Sequence, residues 1–183
     1  MNRATNPRLA ASVTAVLAAL FAFGYTLHAQ DANPISTNLK GSWGNIRDLL
    51  TRMADKMPEE NYRFKPTPEL QDFGQRMSHV IGFNMRTCAQ LKGEQKTVNV
   101  SAMPTKAEIL AAMKEANAEC DSLFNSLTDA DLRKMVAGRG GERMELAVIQ
   151  GNVLEHSQEM YGYMAVYLRL KGIVPPSSDR NER

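Results

Sequence analysis

The chain has 183 residues, with 22 lysines and arginines against 20 aspartates and glutamates, and a formal net charge of +2. Two of the basic residues, Arg3 and Arg8, lie within the first 29 residues, so the rest of the chain carries equal numbers of acidic and basic side chains. A nucleic-acid-binding protein normally shows a basic excess or a basic face. The composition therefore argues against nucleic acid as a partner, and the length fits one domain with its own core.

Residues 1–29 have the pattern of an export signal. A basic start is followed by an apolar run over residues 9–25 and by Leu27, His28 and Ala29, a sequence that a signal peptidase accepts. The apolar run contains polar interruptions and is short for a bilayer span, which needs roughly 20 residues. We expect cleavage after Ala29 and an exported protein, periplasmic or secreted. The alternative is an uncleaved signal that anchors the chain in a membrane.

Four later segments repeat apolar residues at steps of three and four, which predicts four helices. The first predicted helix ends at Pro58. The second is predicted to begin at Thr67 as the cap, with Pro68 at its first position, and to stop near Gly93. The apolar stripes of these two helices are Trp43, Ile46, Leu50, Met53 and Met57, then Leu70, Phe73, Met77, Ile81, Asn84, Cys88 and Leu91.

The third predicted helix starts at a capping box formed by Thr105 and Glu108. The glycines at 138, 140 and 141 are not expected to form a phosphate loop, because the sequence predicts no strand before them and no Gly-Lys-Ser/Thr follows. We expect them to allow a turn with positive φ. The fourth predicted helix runs from Arg143 to Lys171. The expected fold class is all-α, a four-helix bundle over residues 36–176, after a linker at 30–35 and before a disordered tail at 177–183.

Cys88 and Cys120 are the only cysteines, and both fall on the apolar stripes of neighbouring predicted helices. Because an export signal implies an oxidising compartment, a disulfide between the second and third helices is one interpretation. Two buried free thiols are the other, and only the distance between the residues decides. A catalytic role for either thiol is not expected, since a core position hides it from substrate.

The stretch over residues 155–178, EHSQEMYGYMAVYLRLKGIVPPSS, closely resembles the closing helix of the DinB-like family. Residues 57–68 (MPEENYRFKPTP) resemble the loop between that family's first two helices, and residues 71–79 resemble the start of its second helix. The resemblance extends from about Ser36 to Ser178. It implies a four-helix bundle and a metal site between the second and fourth helices.

Metal-binding members of this family carry two histidines four residues apart on the last helix and a third on the second helix. The resemblance places His156 and His79 at two of these positions, but Met160 stands where the other helical histidine is expected. Residues four apart share a helix face, so positions 156 and 160 can contact one ion. Zinc or nickel suits three imidazoles, whereas a thioether is a weak ligand for zinc and a better one for monovalent copper.

Each of these residues also has a simpler interpretation. Met160 would fill space in the core, and His156 would be half-buried with its hydrogen bonds satisfied. His79 lies near the opposite side of its helix from the apolar stripe, so it is either an exposed histidine or a ligand in a groove. Glu155 and Glu159 would supply an oxygen ligand to the metal, accept a hydrogen bond from a metal ligand, or remain solvated surface charges. His156, Met160 and Met164 would form the only soft-metal site.

Three functions are compatible with these patterns. The first is an exported DinB-like protein whose divalent-metal site, formed by His79, His156 and Met160, has become degenerate. The second is a metal-dependent hydrolase or thiol-dependent transferase with a small-molecule substrate, in which the identity of the catalytic residues is unknown. The third is a noncatalytic binding or structural bundle that has lost the metal. Family bundles also pair through exposed helix faces, so a homodimer is a further expectation.

Overall fold

The computed structural model describes residues 31–138 and 140–179, in which three long α-helices precede a composite fourth helix. All of these elements belong to the compact unit that begins at Asn33; the predicted export signal lies outside the described residues. The long helices are α1 (Pro34–Lys56), α2 (Phe73–Leu91) and α3 (Lys106–Ser126), and the composite helix consists of α4 (Glu145–Val148), a π-helical segment (Ile149–Glu155) and α5 (His156–Leu170). Short 3-10 turns occupy Glu59–Asn61, Asp131–Arg133 and Pro176–Ser178.

A small hairpin interrupts the helices between α3 and α4. Its strands, β1 (Met135–Gly138) and β2 (Gly141–Met144), pair antiparallel with Gly138 opposite Gly141. Gly140 and Gly141 have φ values of 86° and 132°, in the region that glycine adopts without strain. The predicted glycine turn is therefore confirmed, and the all-α bundle is confirmed with this hairpin as its one addition among the described residues. The expectation that no strand precedes these glycines was wrong, because β1 leads directly into the turn.

The helix starts follow the capping chemistry of the sequence, with one correction. The capping box of Thr105 and Glu108 begins α3 as predicted. The prediction that Thr67 caps the second helix was wrong, because α2 begins at Phe73 with Asp72 as its cap. The Asp72 carboxylate accepts from the Gln75 N–H at 2.7 Å, and the Gln75 side chain accepts from the Asp72 N–H at 3.1 Å. This capping box satisfies two N–H donors at the start of the helix. The prolines at 66 and 68 only restrict the backbone of the loop that leads to it.

The core lies between the apolar faces of all four helices. Trp43 of α1 stacks on Phe124 of α3, with ring centroids 5.5 Å apart and planes within 4°. The predicted stripes are buried, which is how each helix removes its apolar face from water, but Leu70 was wrongly included, because it precedes α2 and is exposed. Fully buried side chains at the centre include Trp43, Met53, Met57, Phe73, Met77, Ile109, Ile149, Met164 and Leu168.

Cys88 and Cys120 form a disulfide that joins α2 to α3, with the Cα atoms 5.1 Å apart. Of the two interpretations that the sequence left open, the structure has the cross-link and not two free thiols. The disulfide lies inside the core, since neither cysteine is exposed. It therefore fixes the C-terminal end of α2 against the C-terminal half of α3.

The prediction of one continuous fourth helix from Arg143 to Lys171 was wrong in two respects. Arg143 and Met144 belong to β2, and the helix begins at Glu145. It then widens into seven residues of π-helix before α5 starts at His156. A π-helical segment accommodates an extra residue and rotates the side chains that follow, and Gly151 in its middle has little intrinsic preference for a regular α-helix. The buried face of α5 therefore includes Ser157 and Tyr161 as well as Met160 and Met164.

The C-terminal end of the described chain is in contact with the bundle. Helix α1 starts at Pro34, within the predicted linker, and the Pro176–Ser178 turn lies at the start of the predicted tail. Lys56 and Asp179 form an ion pair at 2.5 Å, and the Ser177 N–H donates to the Tyr161 hydroxyl at 2.8 Å. Over residues 31–138 and 140–179, none of the helices is long and apolar enough to cross a membrane.

Candidate metal centre between two helices

The two histidines singled out by the sequence meet where α2 faces α5. The Nε2 atom of His79 lies 3.1 Å from the Nε2 atom of His156, and the two rings are nearly perpendicular, at 77°. His79 is exposed and His156 is half-buried. The fold thus brings together two ring nitrogens from residues that are 77 positions apart in the chain. The two Nε2 atoms are close enough to share one ligand or one proton.

The antiparallel contact of α2 with α5 sets this geometry, and we call it the α2/α5 seam. The Tyr167 hydroxyl donates to the Gln71 carbonyl at 2.8 Å at one end of the seam. Behind His156, the buried Asn84 side-chain amide donates to the Ser157 hydroxyl at 3.0 Å. Because Ser157 directly follows His156, this buried hydrogen bond fixes the rotation of α5 at the histidine.

Aromatic and acidic side chains surround the histidine pair. The Phe83 ring lies 4.6 Å from the His156 ring, measured between centroids, one turn beyond His79 on α2. Glu159 places a carboxylate oxygen 3.5 Å from His156 Nδ1. A carboxylate on that side of the ring favours the tautomer that carries its proton on Nδ1, which leaves Nε2 as the lone-pair nitrogen. Glu155 is exposed and has no contact with the histidine pair among the described residues.

The local electrostatics favour a neutral His79. Partial burial lowers the pKa of His79 from its ordinary value of 6.5, and the His156 imidazole, Arg76 and Arg86 lower it further. The Glu159 carboxylate acts in the opposite direction. A neutral imidazole has a free lone pair, which is the form that binds a metal ion.

The donor set fits a divalent ion in part. Two nitrogens that each lie at roughly 2.0–2.1 Å from one zinc ion, at a tetrahedral or slightly narrower angle, are about 3.0–3.4 Å apart. The observed 3.1 Å falls in this range. Among residues 31–138 and 140–179, however, no group of three His, Cys, Asp or Glu side chains is placed to hold one ion.

Met160 occupies the third position that the sequence pattern suggested, and it lies in the buried face of α5. Its sulfur is 4.0 Å from the Nη1 atom of Arg76. A guanidinium cation next to the thioether disfavours a second cation there. Met164, the other sulfur of the soft-metal alternative, is fully buried in the core.

Sequence reasoning missed Arg76, the residue that covers the other side of this site. Its guanidinium carbon lies 5.6 Å from the centroid of the Tyr163 ring on α5. The signal was available, because Arg76 precedes His79 by three residues and residues three apart share a helix face. The partners Met160 and Tyr163, on the opposite helix, could be assigned only from the tertiary structure.

The fold and the paired histidines define a class of helical bundle with a histidine site between its second and last helices. A family model of the DinB superfamily matches residues 42–164. This chain belongs to the DinB superfamily. No curated protein is detectably similar to it.

Solved structures show the same fold at low sequence identity. A DinB-like protein from Bacillus subtilis is 16% identical, with a TM-score of 0.60 over 74% of this chain and 92% of that one. A DinB-like protein from Bacillus cereus is also 16% identical, with a TM-score of 0.63 over 75% and 93% of the two chains. A variant of a mycothiol-dependent maleylpyruvate isomerase is 10% identical, with a TM-score of 0.56 over 71% of this chain and 59% of that one.

Proposed function

We propose that this DinB-superfamily protein binds a divalent metal ion, zinc or nickel, through the Nε2 atoms of His79 and His156. The observation that carries this proposal is the 3.1 Å separation of those two nitrogens. In the metal-free protein the same distance suits one hydrogen bond, in which one imidazole N–H donates to the other ring. For one ion to bind both Nε2 atoms, the donating ring would carry its proton on Nδ1 instead, so binding by two neutral imidazoles needs a change of tautomer and no net proton release.

The surrounding residues hold the pair and leave one side of it open. Asn84 and Ser157 fix the backbone next to His156 from within the core, and Glu159 faces the ring nitrogen that does not bind the ion. The exposed His79 leaves the remaining coordination positions accessible to water or to a ligand. A bound ion of this kind supplies Lewis-acid activation of water or of a thiol. A metal-dependent hydrolase or thiol-dependent transferase is therefore the enzymatic form of the proposal, and its thiol branch is supported by the mycothiol-dependent structural relative.

A specific observation favours a second candidate, a noncatalytic binding or structural bundle. Met160 is buried against Arg76 in place of the third histidine, so two protein ligands remain where three would hold an ion tightly. A two-ligand site binds more weakly and is lost more readily at cellular metal concentrations. On this alternative the scaffold is retained and the metal chemistry is absent.

Elemental analysis and calorimetric titration with zinc, nickel and copper test the metal site, with protein purified without a histidine tag. We expect one ion per chain, and loss of that binding when His79→Ala and His156→Ala are combined. Glu155→Gln is the matched control on the same helix, and its affinity should stay within about twofold of the unsubstituted protein. If the double variant binds as well as the original chain, the histidine pair is not the site. Absence of metal binding in both the original chain and the double variant supports the noncatalytic bundle.

We also propose that the protein is exported to an oxidising compartment. The pattern of residues 1–29 carries this proposal, and the disulfide between Cys88 and Cys120 supports it, because such cross-links are rare in the reducing cytosol. The mass of the protein recovered from the producing cells tests it. We expect a mature chain that begins at Gln30; a full-length chain in the membrane fraction would instead indicate an uncleaved anchor.

A further inference from the structure

Arg76 is a cation whose polar contacts are incomplete. Its Nε atom is buried and forms no hydrogen bond. Its Nη1 atom contacts only a thioether sulfur, and its guanidinium carbon lies 5.6 Å from the centroid of the Tyr163 ring. Within residues 31–138 and 140–179, Arg76 forms no ion pair with a carboxylate. A buried donor without a partner destabilises the folded state, so folding alone does not explain this arginine.

The position of Arg76 connects it with the histidine pair. It lies one helical turn before His79 on α2, and its charge contributes to the lowered pKa of His79. The nearest carboxylate of the site, that of Glu159, contacts the Nδ1 side of His156 instead. Arg76 is therefore a cation that no described acidic residue pairs with, and such a cation attracts anions.

Apolar surface extends from this charge along α5. Tyr163, Val166 and Leu170 are each about half exposed or more, at 51%, 54% and 58%. They follow one another at steps of three and four residues, so they share one face of the helix. Tyr163 contacts the guanidinium of Arg76 and begins this face. An organic ligand would find a cation and an apolar surface side by side.

We propose that Arg76 binds the carboxylate or phosphate group of a small organic ligand that lies along the α2/α5 seam. The planar guanidinium offers parallel N–H donors that match an oxyanion. Tyr163 and the apolar face beyond it contact the body of the ligand, and the exposed side of the histidine pair lies within the same seam. The anion site stands on Arg76 by itself; only the position of the reacting end of the ligand rests on the proposed metal site.

Titrations with benzoate and with inorganic phosphate test this inference. Binding is measured by calorimetry and by the amide NMR shifts of α2 and α5. The protein is used both stripped of metal by a chelator and loaded with zinc. We expect saturable binding at millimolar concentrations in the stripped protein. Arg76→Gln should weaken anion binding by about tenfold or more. Arg76→Lys should weaken it by less, because an ammonium keeps the charge but lacks the parallel N–H donors of the guanidinium.

Arg86→Gln is the matched control, since Arg86 also lowers the pKa of His79 but has no contact with Met160 or Tyr163. We expect this control to weaken binding by less than about twofold. Benzyl alcohol, which has the ring without the charge, should not compete. Arg76→Gln should also unfold at the same urea concentration as the original chain or a higher one, because it removes an unpaired buried donor.

Equal losses in the two arginine variants would overturn the inference, because they would indicate general surface charge. No saturable binding of either anion by the stripped protein would also overturn it. Use of the stripped protein separates this result from the proposed function: anion binding that needs Arg76 but persists without zinc supports the inference even where the histidine pair holds no metal. Metal binding with no anion binding would support the proposed metal site and overturn the anion site at Arg76.

Discussion

Helix α2 has two interfaces that differ in how completely their polar groups are paired. Toward α3 it is cross-linked by the disulfide, and Lys92 just beyond its end binds Glu119 of α3 at 2.8 Å. Toward α5 it presents two histidines that face each other and an arginine with an unpaired buried nitrogen. One interface is complete as it stands, and the other has groups that a ligand can still satisfy.

This difference separates an interface that stabilises the fold from one whose polar groups are left incompletely paired. Buried polar groups in proteins are nearly always hydrogen-bonded, so an exception requires a separate explanation. The α2/α3 interface has paired charges and a covalent bond, which are the ordinary means of fixing two helices. The α2/α5 seam has two facing imidazole nitrogens and a guanidinium with one unpaired buried nitrogen, at a place that solvent reaches, which is typical of a binding site.

The disulfide gives the largest expected effect on stability. Replacement of both Cys88 and Cys120 by alanine should lower the free energy of unfolding by about 3–4 kcal/mol, because the closed loop restricts the unfolded chain and the two residues are 32 positions apart. Urea denaturation followed by circular dichroism measures this. Zinc affinity measured under native conditions should be unchanged. A loss of zinc binding in a folded variant would show that the two interfaces are coupled and would break the comparison.

Completion of the third ligand position should give the next largest effect. Met160→His would place an imidazole four residues from His156 on the same face of α5. We expect zinc affinity to rise by about 100-fold, or about 2.7 kcal/mol. Met160→Leu is the control, and it should bind zinc as the original chain does. If Met160→Leu binds clearly more weakly, the sulfur is itself a ligand.

The charged cluster on the α2/α3 side predicts a smaller, pH-dependent effect. Hydrogen bonds from Lys92 and Lys96 lower the pKa of Glu119 from its ordinary value of 4.5. A carboxylate whose pKa is lowered by folding stabilises the protein above pH 4.5, and this contribution is lost as the pH falls through the folded value. Glu119→Gln should therefore destabilise by about 1 kcal/mol at pH 7, since the two lysines are partly solvated.

The exposed Glu115, one turn earlier on α3, provides the control for this substitution. Glu115→Gln should change stability by no more than a few tenths of a kcal/mol. The difference between the Glu119→Gln variant and the original chain should disappear in urea titrations carried out well below pH 4.5. A difference that persists there would mean that packing, and not charge, is responsible.

Glu145 predicts the smallest effect, of the opposite sign. Burial raises its pKa from 4.5, and Asp131 raises it further. Its contribution is complete below pH 4.5 and is lost as the pH rises through the folded value, because ionisation is easier in the unfolded chain. Glu145→Gln should stabilise the protein at pH 7 by about 0.5 kcal/mol, with no difference at pH 4. Equal stabilisation by Glu142→Gln, on the exposed strand, would contradict this explanation.

Much of the fold followed from the sequence because local patterns decide it. The steps of three and four placed the stripe of α1 and, from Phe73 onward, that of α2, and the capping box of Thr105 with Glu108 gave the start of α3. The start of α2 was misplaced because Thr67 with Pro68 and Asp72 with Gln75 are both reasonable caps, and only the packed structure chooses between them. The π-helical segment was missed for a similar reason, since periodicity assumes one constant rotation per residue.

The candidate site was predicted only in part. His79 and His156 were named from the sequence, and the structure brings them together. Arg76 was overlooked, although it shares a helix face with His79. Its unpaired nitrogen and its contacts with Met160 and Tyr163 depend on α5, a helix about 80 residues later in the chain.

The sequence by itself determined the helical pattern, the superfamily and the two histidines of the candidate site, because residue type, spacing and caps are local properties. Only the tertiary structure decided that the cysteines are joined, that Met160 faces a guanidinium and that the two imidazoles lie 3.1 Å apart. Each of these facts depends on the rotation and crossing of two helices that are distant in the chain. That arrangement is set by the packing of the whole core, which no local pattern specifies.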